Sequence, residues 1–235
     1  MTATIRLWDL AGAEDDRRFS PYCWRVKMAL RHKGLQAEEI PWHFTAKDAI
    51  AFSGQGRVPV ITDGGREVHD SWAIAEYLDE AYPDRPLLLS GDEARTLTYF
   101  LKHWVEREIH PPVLKLVVLD LFNHLHDRDR AYFRESREKR FGTTLEAYAA
   151  DRNAPLKALR GALEPLRPVL IERPFVAGRA PGLADYLLFG AFQWARAVSP
   201  TRLLEPDDPV FAWRERVMDL FGGYAREAKG YPVWA

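Results

Sequence analysis

Short apolar runs alternate with helically spaced segments in the first third of the chain. Runs of strand type are separated by polar loops, and Asp63-Gly64-Gly65 between the last two is typical of a tight turn. The pattern predicts strands at 4–10, 37–41, 58–62 and 67–69, helices at 21–32 and from Ser71 onward, and a loop or short helix at 45–52. This order describes a small α/β unit, which needs a second unit packed against it to be stable.

The remainder of the chain has only helical periods. Pro83 and Pro86 break the α/β pattern, and we therefore predict an α/β domain at 1–83, a linker at 84–91 and an all-helical domain at 92–235. Within it, Pro111-Pro112 removes two backbone donors and pushes His110 out of helical dihedrals, which predicts a kink or break. The predicted helices are 93–123, 128–149, 152–171, 183–198 and 209–221.

Composition and charge narrow the possible partners. Lys and Arg together number 33 against 34 Asp and Glu, so no cationic excess is available for a nucleic acid or an anionic membrane surface. We expect neither partner, and no secretory leader or membrane span. Cys23, the single cysteine, cannot form an intrachain disulfide, which suits a reducing compartment, and the expected location is the cytoplasm.

The first candidate site feature is a hydroxyl at a helix start. Ser20 precedes Pro21, and proline suits the first position of a helix. Free amides of the first turn and the helix macrodipole favour an anion there, including a thiolate. The structural alternative is that Ser20 is only an N-cap, a role that serine commonly fills.

Two further features lie near the predicted strands. Pro59 interrupts an apolar run, and a cis Val58-Pro59 bond would leave the backbone of Val58 free to pair with a peptide ligand, although a trans bond is the commoner state. Asp70-Ser71 stands at a strand-to-helix junction, where the carboxylate can hold an ammonium group and the hydroxyl and amide can hold a carboxylate. A simple helix cap is the alternative for this pair.

In order and spacing, these three features resemble the motifs of cytosolic glutathione transferases. The resemblance extends over essentially the whole chain, including 178–190, where Asp185 matches the acid of that family's buried helix start. Gly182 departs from the pattern, because the family usually has Ser or Thr there. The resemblance implies a thioredoxin-like N-terminal domain, an all-α C-terminal domain, glutathione as cosubstrate without a metal, and a homodimer.

A narrower resemblance concerns bacterial transferases related to lignin β-etherases, which cleave β-aryl ethers with glutathione. It rests on 20–34, 70–80 and 82–86. It implies a role in the degradation or detoxification of aromatic compounds. Substrate choice resides in the second domain, where similar folds diverge.

The resemblance also implies roles for individual residues. Ser20 is expected to be the catalytic donor to the glutathione sulfur rather than a covalent nucleophile. Val58 and Pro59 are expected to bind the cysteinyl part and Asp70 and Ser71 the γ-glutamyl end. Candidates for the glycyl carboxylate are Arg57, Lys47 and His43, and candidates for the pocket of an aromatic electrophile are Phe19, Trp104, His110, Leu114 and Trp194.

Two other functions remain open at this point. Ser20-Pro21-Tyr22-Cys23 has the spacing of a Cys-x-x-Cys motif with its first cysteine replaced, so a thiol oxidoreductase using Cys23 is one alternative. We favour a packed, inert Cys23, because free cysteine is among the most buried residue types. The other alternative is a non-catalytic ligand-binding module on the same scaffold.

Overall fold

The computed structural model describes residues 4–232, and its N-terminal part is built on one mixed sheet. The sheet order is β2-β1-β3-β4, with β2 parallel to β1, and β3 antiparallel to both β1 and β4. The strands are β1 (Ile5–Leu10), β2 (Ala37–Trp42), β3 (Val60–Asp63) and β4 (Arg66–His69). α1 (Pro21–His32) joins the two parallel strands, a 3-10 segment covers Lys47–Ser53, and α2 (Ser71–Ala81) follows β4.

The rest of the described chain is helical. Segment 82–90 joins α2 to the first helix of this part. The helices are α3 (Gly91–Trp104), α4 (His110–Asn123), α5 (Asp127–Phe141), α6 (Leu145–Tyr148), α7 (Asn153–Ala162), α8 (Leu166–Glu172), α9 (Leu183–Val198), α10 (Pro209–Met218) and α11 (Leu220–Glu227). Within residues 4–232, no helix has both the length and the apolar character needed to cross a membrane.

Three of the predicted helices are wrong in extent, each for a local reason. The segment 128–149 is divided because Gly142 adopts φ 69 and Thr144 caps the next helix. The segment 152–171 is divided before Pro165, which has no N–H to continue the helical bonding. The predicted helix 209–221 ends at Met218, and Phe221, Gly222 and Gly223 in the first turn of α11 have positive φ, so they do not continue α10 as a right-handed helix.

The two adjacent prolines are accommodated without a break. A π-helical turn covers Val105–Ile109, and His110 donates its backbone N–H to Val105. Pro111 then lies at the start of α4, where a missing N–H costs little. The predicted distortion of His110 is wrong, because its φ of −62° and ψ of −41° are helical; the helical bonding pattern changes before the prolines instead.

A buried contact between α1 and α9 fixes the two parts of the molecule to each other. A Cβ atom at Gly190 would lie 2.4 Å from the carbonyl oxygen of Pro21, so only glycine permits this approach. Nearly all of α9 is buried. Because Pro21 opens α1, the contact places the N-terminus of α1 against the helical domain.

Asp185 holds the start of α9. Its buried carboxylate accepts backbone N–H bonds from Val176 at 2.7 Å, Ala177 at 3.2 Å and Gly182 at 3.0 Å. It also accepts the indole N–H of Trp213 at 2.7 Å. The backbone N–H of Asp185, which a hydroxyl at position 182 would accept, donates instead to the carbonyl of Gly182 at 3.0 Å, so the helix start does not need that hydroxyl.

Candidate functional site

A cavity of about 580 Å³ lies between the α/β and helical domains. Ligand sites commonly occupy such boundaries. The lining residues are Leu10, Phe19, Ser20, Pro21, Tyr22, Trp42, Phe44, Lys47, Gly56, Arg57, Val58, Glu106, His110, Pro111, Leu114, Leu121, Tyr132, Phe133, Arg137, Arg140, Tyr148 and Trp194.

Ser20 reaches the cavity from the N-terminus of α1. It has extended backbone dihedrals, its Oγ accepts the backbone N–H of Cys23 at 3.2 Å, and Pro21 occupies the first helical turn. The residue is only 4% exposed. Since the N–H bond uses a lone pair of Oγ, the hydroxyl hydrogen remains available to a ligand in the cavity.

The sheet brings the other two predicted motifs to one edge. Val60 pairs with His69 in β3 and β4, and Trp8 pairs with Val60 in β1 and β3. Residues just before Val60 therefore lie beside those just after His69, at the end of β1 that leads toward Ser20. The Val58-Pro59 peptide bond is cis, and Val58 lies before the first residue of β3.

Asp70 and Ser71 have unusual local environments. Asp70 has a φ of 71°, a region that non-glycine residues rarely adopt, and its Oδ1 accepts the N–H groups of Trp72 and Ala73. The Oγ of Ser71 is buried and has no hydrogen-bond partner within residues 4–232. A buried hydroxyl without a partner and a strained acidic residue beside it are both typical of functional sites.

Of the three cationic candidates, two line the cavity. Lys47 donates its Nζ to the carbonyl of Gly56 at 2.6 Å, and Arg57 follows on the same loop. His43 lies elsewhere: it is buried near Asp15 and Asp129, at 3.6 and 3.9 Å. The structure thus separates His43 from the cavity, because the residue lies in a buried cluster that joins the loop after β2 to α5.

Four of the five aromatic or apolar candidates line the cavity. Phe19, His110, Leu114 and Trp194 do so, whereas Trp104 at the end of α3 packs against the core instead. The π-helical turn after Trp104 rotates the following residues, so the spacing from Trp104 to His110 is not that of a regular α-helix.

Several lining residues were not predicted, although three of them have a helical spacing in the sequence. Phe133, Arg137 and Arg140 of α5 all line the cavity. Their spacing of four and three places them on one helical face. Because α5 is strongly charged throughout, this face does not stand out as apolar, and the pattern of apolar residues did not identify it.

A buried polar cluster lies beside the apolar part of the cavity. Arg25 is fully buried, pairs with Glu106 at 2.9 Å and lies 4.6 Å from the ring centroid of Tyr22. Nη2 of Arg25 is 3.5 Å from Nε2 of His110. Because a guanidinium group can only donate, Nε2 is the acceptor and His110 is a neutral imidazole. Burial, followed by the charge of Arg25, lowers the pKa of His110 to about 3. Although burial opposes ionisation, Arg25 and Lys102 hold the pKa of Glu106 below its usual value.

Cys23 is not placed to react. It is fully buried, and it does not line the cavity. Burial, followed by the charge of Asp9, raises the pKa of its thiol well above the usual value. Among residues 4–232 there is also no cluster of three or more His, Cys, Asp or Glu that could hold a metal ion.

Comparison with known proteins decides the family. The family model described as "Glutathione S-transferase, N-terminal domain" matches residues 16–86, and "Glutathione S-transferase, C-terminal domain" matches residues 96–208. The chain belongs to the glutathione S-transferase superfamily. The transferase is 27% identical over 84% of its length to the probable glutathione S-transferase GSTU6 of Oryza sativa subsp. japonica, of which it covers 80%.

Two solved structures show the same fold. CsGST83044 of Ceriporiopsis subvermispora, a glutathione S-transferase in complex with glutathione, has a TM-score of 0.76 and 25% identity over 97% of both chains. CsGST63524 of the same organism, also in complex with glutathione, has a TM-score of 0.77 and 22% identity over 96% of this chain and 95% of its own. The likeness confirms a thioredoxin-like domain followed by an all-helical domain in this transferase.

Proposed function

We propose that this transferase ionises the thiol of glutathione beside Ser20 and directs the thiolate at a hydrophobic aromatic electrophile in the cavity. The observation that carries the proposal is the Ser20 hydroxyl at the N-terminus of α1, on the cavity wall, with its hydrogen free to donate. The solved relatives in complex with glutathione support this choice of thiol.

The energetic requirement for ionising the thiol is modest. A free thiol has a pKa near 8.5, and lowering it by about two units requires roughly 2.7 kcal/mol of preference for the thiolate. One hydrogen bond to a charged group contributes about 1.5–3 kcal/mol, and the helix terminus adds to it. Ser20 and the first turn of α1 can therefore supply the whole shift.

The remaining contacts orient the tripeptide. The backbone of Val58, before the first paired residue of β3, pairs with the cysteinyl unit as an added strand would. The free Oδ2 of Asp70 binds the γ-glutamyl ammonium, and the unpartnered Ser71 hydroxyl binds the γ-glutamyl carboxylate. Lys47 and Arg57 bind the glycyl carboxylate at the other end. His43 and Trp104 lie away from the cavity and have no part in this arrangement.

The chemical step is a displacement at carbon. The thiolate sulfur forms a bond to the electrophilic carbon, the leaving group departs with its electron pair, and the thiol proton passes to solvent. With a β-aryl ether the leaving group is an aryloxide, and the narrower sequence resemblance to lignin β-etherases supports this substrate. Phe19, His110, Leu114 and Trp194 supply the apolar wall that receives the electrophile.

The alternative functions are less well supported. A thiol oxidoreductase needs an accessible, low-pKa Cys23, and this residue is buried with a raised pKa. A non-catalytic module does not require a hydroxyl with a free hydrogen at a helix start. The single cysteine fits a reducing cytoplasm, which we propose as the site of the reaction.

We further propose that the active form is a homodimer. Leu97 and Phe100 of α3 are 61% and 70% exposed, and Phe52 near the sheet is 41% exposed. Large apolar side chains left in solvent are typical of an interface between subunits.

Glutathione binding and turnover test the proposal. Calorimetry should detect binding of glutathione, and the protein should conjugate it to chlorodinitrobenzene or release phenol from a β-aryl ether ketone. A Cys23→Ser variant should keep both activities, because Cys23 lies outside the cavity. Absence of glutathione binding, or loss of all turnover in Cys23→Ser while the variant still binds glutathione, would contradict the assignment.

A further inference from the structure

Cationic side chains dominate the charged lining of the cavity. Lys47, Arg57, Arg137 and Arg140 line it, and Glu106 is its acidic member. This excess is local, because the whole chain carries a formal net charge of −1. A concave surface lined mainly by one sign of charge concentrates the opposite charge.

The four cations have no acidic partner. Within residues 4–232, none of them lies within 4.0 Å of a carboxylate oxygen. Glu106 does not serve as their partner, because it is bound to Arg25 at 2.9 Å and Lys102 at 3.1 Å. By contrast, Arg134 on the same helix pairs with Glu138 and Glu146 outside the cavity.

Packing holds Arg137 in position. Its guanidinium carbon lies 4.6 Å from the ring centroid of Phe133 and 5.4 Å from that of Phe44, both of which line the cavity. Burial lowers the pKa of Arg137, and the charges of Arg140 and Arg57 lower it further. A guanidinium kept among rings and like charges, without a carboxylate, gains more from an incoming anion than a solvated one does.

Arg140 lines the cavity together with Tyr22, two residues after Ser20. Burial raises the pKa of Tyr22, and the charge of Arg140 is among those that lower it. Arg140 also follows Arg137 by one helical turn on the same face of α5. The two guanidinium groups therefore extend along the cavity wall formed by the helical domain.

Glutathione does not account for all four cations. Under the proposed function, on which this inference rests, its glycyl carboxylate needs Lys47 and Arg57, and its γ-glutamyl end lies at Asp70 and Ser71. We infer that Arg137 and Arg140 bind an anionic group, of the carboxylate class, carried by the aromatic electrophile itself. The preferred electrophile is thus an aromatic acid rather than a neutral aromatic compound.

A matched pair of electrophiles tests this preference. Chloronitrobenzoate and chloronitrobenzamide share the leaving chloride and have similar shapes, but only the first is an anion at neutral pH. The measured quantity is kcat/KM for the benzoate divided by kcat/KM for the benzamide, each corrected for its uncatalysed rate with glutathione. We expect Arg137→Gln and Arg140→Gln each to lower this ratio about tenfold, the effect of one lost charge-assisted hydrogen bond.

Lys139→Gln is the matched control. Lys139 precedes Arg140, is exposed and does not line the cavity, so its removal changes the net charge equally without changing the lining. We expect the ratio to stay at the wild-type value in this variant. An equal fall in Lys139→Gln would assign the preference to the general field of α5 and overturn the inference.

Two other outcomes would also overturn it. One is an unchanged ratio in the double variant Arg137→Gln/Arg140→Gln. The other is an equal loss of activity with both electrophiles in the double variant, together with a raised KM for glutathione, which would place both arginines at the glycyl carboxylate. Calorimetric binding of nitrobenzoate and nitrobenzamide to the glutathione-loaded protein repeats the comparison without turnover. If neither electrophile turns over but nitrobenzoate binds more tightly by way of the two arginines, the proposed function fails and, of this inference, only the binding of an aromatic carboxylate by Arg137 and Arg140 stands.

Discussion

The two walls of the cavity are built differently. The wall from the α/β domain includes two short motifs at the ends of strands and starts of helices, Ser20-Pro21 and Arg57-Val58, and Asp70-Ser71 lies at the same sheet edge without lining the cavity. The wall from the helical domain consists of side chains from α4, α5, α6, α9 and the π-helical turn. One wall is specified by neighbours in sequence, and the other by packing between distant segments.

This difference separates two kinds of chemistry. The first wall offers backbone groups and small polar side chains in fixed positions, which suit a constant tripeptide. The second offers rings and unpaired guanidinium groups, which suit a variable electrophile. Because Gly190 joins the walls at Pro21, the geometry at Ser20 depends on both.

The largest effect is expected from a substitution at the start of α9, the helix that carries Trp194 of the cavity lining. Asp185→Ala leaves four N–H donors without their acceptor, and those of Gly182 and Trp213 are buried. At about 1–3 kcal/mol for each buried donor, we expect a loss of about 4 kcal/mol in the free energy of unfolding. Denaturant unfolding monitored by circular dichroism measures it.

Asp151→Ala is the control for this change. Its exposed carboxylate accepts the N–H groups of Asn153 and Ala154, and we expect a loss of only about 1 kcal/mol. Equal losses in the two variants would mean that the carboxylate of Asp185 does not stabilise the start of α9.

The second-largest effect is expected from a substitution at the contact between α1 and α9, which joins the two walls of the cavity. A methyl group at Gly190 would collide with the carbonyl oxygen of Pro21 at 2.4 Å, so Gly190→Ala should destabilise the protein by about 1–3 kcal/mol. It should also raise KM for glutathione, because Ser20 adjoins the displaced residue. Thermal unfolding and steady-state kinetics measure the two effects.

Gly161→Ala is the matched substitution in α7, where no atom lies within 4 Å of the added carbon. It should stabilise the protein by up to about 1 kcal/mol, as expected for glycine in a helix. A stability of Gly190→Ala equal to that of Gly161→Ala would show that α1 and α9 are not held in close contact.

A smaller effect is expected from a substitution at Ser20, which tests the role of the cavity wall from the α/β domain. Under the proposed function, Ser20→Ala removes the donor to the sulfur, so kcat/KM should fall about tenfold to a hundredfold near neutral pH. The acid limb of its pH profile, where activity rises as the thiol ionises, should move upward by one to two units, because the glutathione thiol would lose its depressed pKa. Thr144→Ala, which removes the capping hydroxyl of α6, should leave the profile in place.

The smallest effect concerns His110 on the second wall. Its pKa of about 3 in the folded protein lies below the usual 6.5, so below pH 6.5 the unfolded chain takes up a proton that the folded chain does not. Stability should therefore fall as the pH falls, by about 1 kcal/mol between pH 7 and pH 5.5 from this residue.

His110→Gln should lack that part of the acid dependence, since glutamine does not titrate in this range. Urea unfolding of both proteins at the two pH values gives the difference. An identical pH dependence in the variant would show that His110 is not buried as a neutral imidazole.

The sequence predicted the elements of the first wall because each depends on local chemistry. Proline after serine marks a helix start whatever the rest of the chain does, and Asp70-Ser71 occupies the start of α2 as expected. Helix breaks at Gly142 and Pro165 were missed because the apolar pattern continues across them. His43 and Trp104 do not line the cavity, and residue type alone does not state which face of an element meets a cavity.

The sequence by itself therefore determined the family, the two-domain architecture and the position of Ser20 at the start of α1, because caps and turns are set by interactions between close neighbours. Only the tertiary structure decided that Arg137 and Arg140 share a cavity with Ser20. Those residues are separated by more than a hundred positions, and α5 is held against the α/β domain by hydrogen bonds from Phe44 and Thr45 to Asp129. A pattern of apolar residues along one chain does not encode such a meeting.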